Sequence, residues 1–132
     1  MILVDTSVWV RSLSNRGPYA GELDRLLAVD EVTGHDFVYG ELLAGGSRRG
    51  GLLAAYELIH QARMVPHREV VAFVQGRNLF GRGIGWIDIH LLASAIVDGL
   101  RLWTADQRLA AVASELGIAY EGTFSTNVSP ST

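Results

Sequence analysis

Residues 2–4, Ile-Leu-Val, form an unbroken apolar run that stops abruptly at Asp5-Thr6-Ser7. This run constrains the fold more than any other feature. A strand with one wet face alternates apolar and polar residues. A continuous run instead belongs to a strand buried on both faces, as in parallel sheets covered by helices. The remaining chain supplies those helices. Leu23, Leu26 and Leu27 recur at helical spacing over residues 21–28, and Val32-Thr33-Gly34 suits a short strand. A helix starting near Asp36 carries Val38, Glu41 and Leu42, until Gly45-Gly46-Ser47-Arg48-Arg49-Gly50-Gly51 interrupts it as a basic turn. Amphipathic helices are expected over residues 52–62 and 69–80, with Met64-Val65-Pro66 between them. After the loop Gly81-Arg82-Gly83-Ile84-Gly85, residues 86–97 read as a nearly all-apolar helix ended by Gly99. A strand over 100–104, a helix over 107–116 stopped by Gly117, and a last strand over 118–120 complete the pattern. Strands alternating with helices predict an α/β fold with a parallel sheet covered on both faces. One domain is expected over residues 1–124, followed by a polar tail over 125–132.

The composition agrees with a single packed domain: 132 residues, of which 48% are hydrophobic. No apolar stretch approaches the ~20 residues that cross a bilayer. No basic segment precedes the first apolar run, so a secretory leader is not expected, and the absence of cysteine excludes disulfides and thiolate metal sites. A cytoplasmic protein is the expectation.

The acids fall where chemistry is done. In open α/β sheets, ligands bind beyond the carboxyl ends of the strands. Asp5 ends the first strand, Asp106 lies just past Leu102-Trp103-Thr104, and Asp88 sits in the first turn of its helix. Glu41 joins them if its helix points that way. Each has a plainer reading: Asp106 as a cap for the next helix, Asp88 as a complement to its helix dipole, Glu41 as a surface carboxylate. Asp5 is hardest to dismiss, because a charge at the end of a buried strand needs a partner. Crowded carboxylates repel, and a divalent cation that prefers oxygen, Mg²⁺ or Mn²⁺, offsets that repulsion. Such an ion can activate water and stabilise charge developing on a phosphate.

Other polar sets are poorer candidates. The Gly81-x-Gly-x-Gly run lacks the strand and spacing of a dinucleotide site. His35, His60, His67 and His90 show no metal-ligand pairing, and Ser7 has no neighbouring histidine to activate it. Trp86 and Trp103 read as core or site-edge packing. Arg48, Arg49 and Arg82 are candidate RNA contacts, with a solvated turn the competing reading of the first two. All eleven basic residues are Arg, which suits phosphate recognition or reflects codon usage. Net charge is −3, but without the four acids above, 11 basic residues face 10 acidic ones, a balance of +1 that does not repel RNA.

With these residues in place, the sequence resembles the PIN-domain ribonucleases, specifically the VapC-like toxins of bacterial toxin–antitoxin pairs. The matching segments are Met1-Ile-Leu-Val-Asp-Thr-Ser-Val-Trp, Gly-Glu-Leu at 40–42, Gly83-Ile-Gly-Trp-Ile-Asp-Ile-His-Leu-Leu-Ala-Ser-Ala, and Leu102-Trp-Thr-Ala-Asp. The resemblance spans residues 1 to about 121. It implies a three-layer α/β/α domain, and Mg²⁺ (or Mn²⁺) bound chiefly by Asp5 and Asp88, with Asp106 and Glu41 completing the pocket. Thr6, Ser7 and Thr104 would hold that pocket by hydrogen bonds. It also implies cleavage of transfer or ribosomal RNA, a cognate antitoxin that blocks the enzyme, and a homodimer; an antitoxin Arg suits the acidic pocket geometrically, and the apolar helix 52–62 is the expected dimer surface. Ala105 and Gln107 stand where related sequences often carry basic residues. The rival readings are a DNA nuclease, for which the chain lacks room for clamping insertions, and an inactive PIN-like module that only binds RNA or protein. A receiver domain would need a lysine, and the chain has none.

Overall fold

The structure is a computed structural model describing residues 1–15, 17–46 and 51–122. Its elements in chain order are β1 (Ile2–Val4), α1 (Thr6–Leu13), α2 (Tyr19–Ala28), β2 (Val32–Gly34), α3 (Asp36–Ala44), α4 (Leu52–Leu58), β3 (His60–Gln61), α5 (His67–Arg77), α6 (Trp86–Val97), β4 (Arg101–Trp103) and α7 (Gln107–Glu115). The strands form one sheet in the order β3-β2-β1-β4, and every pairing is parallel. Parallel strands need crossovers, and the helices supply them. The result is the expected α/β domain, with helices layered on the sheet.

The run Ile2-Leu3-Val4 is the inner strand that its composition predicts, with all three residues buried. Around it lies one large core, drawing Val8 and Trp9 from α1, Leu23 and Leu26 from α2, Leu91 and Leu92 from α6, and Leu109 and Val112 from α7. A smaller cluster of Val65, Val70, Ile89 and Ala93 joins α5 to α6. At the outer side of β2, Gly34 has no room for a side chain: a Cβ would lie 2.6 Å from Gln61 Nε2 and 2.9 Å from Tyr56 Cε1. The absent Cβ lets α4 and β3 close on the sheet.

Four expectations need correction. The helix α1 is not foreseen, because Thr6-Ser7-Val8-Trp9-Val10 carries β-branched and aromatic residues of low helix propensity; burial of Val8 and Trp9 overrides that preference. The helix expected over 52–62 ends at Leu58, since the chain turns extended at Ile59 and gives His60 and Gln61 to the sheet. The last strand is a single bridge, Leu102 to Ala119. The apolar residues of α4 do not form an outward patch: Tyr56 is buried, and Leu52, Leu53 and Ile59 pack against the core, leaving Leu58 as the exposed one. The turn carrying Arg48 and Arg49, and the tail expected over 125–132, lie outside the described residues.

Candidate active site

Asp5 occupies the N-cap position of α1, where an aspartate normally accepts a backbone N–H from its own helix. Here it makes no such bond. Its Oδ2 accepts instead from Ser7 Oγ and Thr104 Oγ1, both at 2.7 Å. The two hydroxyls lie 3.2 Å apart, and each is fixed by the chain leaving β4: Ala105 N–H donates to Ser7 Oγ at 2.9 Å and Asp106 N–H to Thr104 Oγ1 at 3.0 Å. The ends of β1 and β4, neighbours in the sheet, are thus latched around one carboxylate oxygen.

Asp106 caps α7, its Oδ1 accepting from Arg108 N–H at 2.9 Å and Leu109 N–H at 3.2 Å. Asp88 reaches back from the first turn of α6, so that its Oδ2 accepts the Gly85 N–H at 3.0 Å. Glu41 Oε1 accepts from the Thr6 hydroxyl. The plainer reading of Asp106 as a cap therefore holds, and Asp88 closes a backbone hydrogen bond at the start of its own helix. Each of the four carboxylates commits one oxygen to a nearby donor, and its second oxygen accepts no hydrogen bond from the described residues. No Arg among the described residues forms an ion pair with any of them.

Asp88 senses the other three acids: burial raises its pKa from the ordinary aspartate value, the Gly85 N–H opposes that rise, and the charges of Asp5, Asp106 and Glu41 add to it. Among the described residues, no group of three His, Asp or Glu side chains is drawn together closely enough to hold an ion as it stands. The donor set nonetheless fits one: all-oxygen, anionic, with an uncommitted oxygen on each carboxylate, which is what Mg²⁺ or Mn²⁺ takes.

Of the cations expected to meet RNA, Arg82 is committed to Glu115, with Nη1 and Nη2 donating at 2.9 and 2.6 Å. Arg108, in the first turn of α7, lays its side chain against Gly83, where a Cβ would stand 2.8 Å from its Cδ.

Fold and site together define a class: small α/β domains with an oxygen-only, carboxylate-lined centre at the carboxyl edge of a parallel sheet. Within that class, the family model described as PIN domain matches residues 2–115, and this chain belongs to the PIN-domain family. It is 43% identical over 121 residues to ribonuclease VapC32 from two strains of Mycobacterium tuberculosis, covering 90% of this chain and 95% of the relative. The crystal structure of PAE2754 from Pyrobaculum aerophilum shares the fold at a TM-score of 0.51 and 20% identity, over 83% of this chain and 77% of that one.

Proposed function

We propose that this protein is a divalent-metal-dependent endoribonuclease and the toxin of a toxin–antitoxin pair. In this reading Asp5, Asp88 and Asp106 hold Mg²⁺ or Mn²⁺, and Glu41 completes the catalytic pocket. The observation that carries the reading is the set of half-committed carboxylates: four acids at one sheet edge, each anchored through one oxygen, with the other uncommitted. An identity of 43% along nearly the whole chain to a protein named ribonuclease supports the choice of RNA.

A bound divalent cation supplies a water of lowered pKa and a counter-charge for the phosphate. The chain's own residues do the positioning. Ser7 and Thr104 keep Asp5 in one rotamer and leave its second oxygen free. The caps of α6 and α7 do the same for Asp88 and Asp106, and Thr6 does so for Glu41. Substrates are structured RNAs, transfer or ribosomal, cut in unpaired loops whose backbone can be splayed into the site. The antitoxin blocks the pocket with an Arg, whose guanidinium matches carboxylates geometrically and fills the space of the metal.

Purified protein is expected to cut structured RNA with Mg²⁺ or Mn²⁺ and to stop in excess EDTA. Cutting that survives EDTA removes the metal from the mechanism. No cutting of any structured RNA by folded, metal-supplied protein, together with harmless expression of this chain alone, removes the toxin reading and favours an inactive binding module.

A further inference from the structure

At the same edge of the sheet as the carboxylates runs a line of rings that none of the roles above uses. Trp86 opens α6 and is 41% exposed, with His67, the first residue of α5, tilted against it at 5.4 Å. His90 lies edge-on to Trp86 at 5.3 Å, and Phe37, in the first turn of α3, meets His90 edge-on at 4.8 Å. His90 is buried, and its Nδ1 finds no hydrogen-bond partner among the described residues. An apolar residue would avoid leaving that nitrogen unpaired. The His90 ring does make edge-on contacts with Trp86 and Phe37.

The track lies at the same edge of the sheet as the acids. Trp86 and Asp88 share the first turn of α6, and Phe37 and Glu41, four apart on α3, lie on one face of that helix. At 100° per residue, however, Trp86 and Asp88 point to different sides of α6. The indole shares the pocket's edge of the sheet and lies outside the pocket.

We propose that Trp86, braced by His67 and His90, is a stacking platform for an unpaired base of the RNA substrate, a nucleotide or more away from the phosphate at the carboxylates. This rests on the ribonuclease reading and adds to it the recognition of single-stranded RNA. Bases present a π-face irrespective of sequence, and aromatic side chains exploit this in single-strand binding.

The chain offers a direct probe. It has three tryptophans, and the other two, Trp9 and Trp103, are 4% and 2% exposed. Emission that responds to RNA therefore reports Trp86. In EDTA, where no cutting is expected, an RNA hairpin with an unpaired loop should quench the emission of the wild-type protein, and a fully paired duplex should not. With metal, W86A should raise KM roughly five- to 150-fold, the worth of one stacked base, with kcat little changed. W86F should restore most of the affinity, and an abasic loop should erase the difference between wild type and W86A. A W86A protein that melts early is replaced in this comparison by W86F and the abasic substrate. Wild-type protein that cuts RNA without quenching, and a W86A variant with wild-type KM, would overturn the platform and leave the nuclease standing. That result is also the one expected if the rings seat a partner protein. Failure of the wild type to cut RNA under any condition would overturn both.

Discussion

At the scale of single residues, Asp88 and Asp106 each have a structural role and, on the proposed reading, a metal-binding one, and their substitutions separate the two. Asp88→Asn keeps an oxygen for the Gly85 N–H and removes a charge that three other carboxylates oppose. If the residue merely complemented its helix dipole, the change would cost roughly 0.3–1 kcal/mol. In the crowded pocket, loss of repulsion offsets that cost, so the metal-free variant should melt at the wild-type temperature or above it. Mg²⁺ should then raise the melting temperature of the wild type by mass action and that of the variant much less. Asp106→Asn is the companion, since Asn caps helices about as well as Asp. Its stability should stay within about 0.5 kcal/mol while RNA cutting collapses. Variants that are destabilised without metal and still cut at wild-type rates would mark both acids as structural.

At the scale of elements, the pocket depends on how α3 and α6 are held. His35 does much of this. Phe37 N–H donates to its Nδ1 at 3.0 Å, which leaves the proton on Nε2 to meet Ser94 Oγ at 3.1 Å, and Ser94 donates onward to the Arg63 carbonyl at 2.6 Å. Burial pushes the His35 pKa down from 6.5 to about 4, reinforced by His90 and opposed by Asp36. The folded protein therefore holds the ring neutral while the unfolded chain takes up a proton. Stability from this group is whole above about 6.5 and is lost as the pH falls through 4, by on the order of 3 kcal/mol. Melting curves between pH 7 and 4 should show that slope in the wild type and a flatter one in His35→Asn, which keeps the helix cap. Ser94→Ala, by stranding the Nε2–H, should cost about 1–3 kcal/mol at neutral pH.

The elements also show what a sequence can disclose. The runs at 2–4 and 86–97 were legible because burial of all of the first and of residues 89–95 of the second leaves a nearly unbroken apolar stretch. Asp5 was legible because a charge at the end of such a stretch has no dull explanation. Helix α1 was not, since its propensities point elsewhere and only tertiary burial decides. The Ser7–Asp5–Thr104 latch closes over separations of 2 and 99 residues, and the ion pair that occupies Arg82 closes over 33. Spacing along a chain carries no trace of such meetings. Family resemblance named the hydroxyls, but only the fold shows that they lock one oxygen and leave the other free.

At the scale of the whole molecule, we propose a homodimer, with a footing that differs from the one its sequence suggests. Most apolar residues of α4 are satisfied within the domain, so that helix as a whole is not a sticky face. Exposed apolar side chains remain on several helices, among them Val10 on α1, Leu43 on α3 and Leu58 on α4. Contacts recorded between α1 and α3 and between α3 and α4 place these helices side by side. Light scattering at micromolar concentration should give twice the monomer mass, and Leu58→Glu with Leu43→Glu should shift it toward the monomer without unfolding the domain. A wild-type mass of one chain would remove the dimer.

The order β3-β2-β1-β4 has a consequence in time. The strand made first sits between two others, and one of its partners, β4, is the last of the four strands to be made. At about 5–20 residues per second, a ribosome needs roughly 5–20 s to add the residues between Asp5 and Thr104. Until then the latch around Asp5 has no second half, β1 has one bare edge, and Asp106 does not exist. Chains truncated after α6 should show no cooperative melt and no RNA cutting, measurable by circular dichroism and the same cleavage assay. On the proposed reading, the nuclease would thus be harmless to the machinery that is making it, and a prematurely terminated copy would never become active.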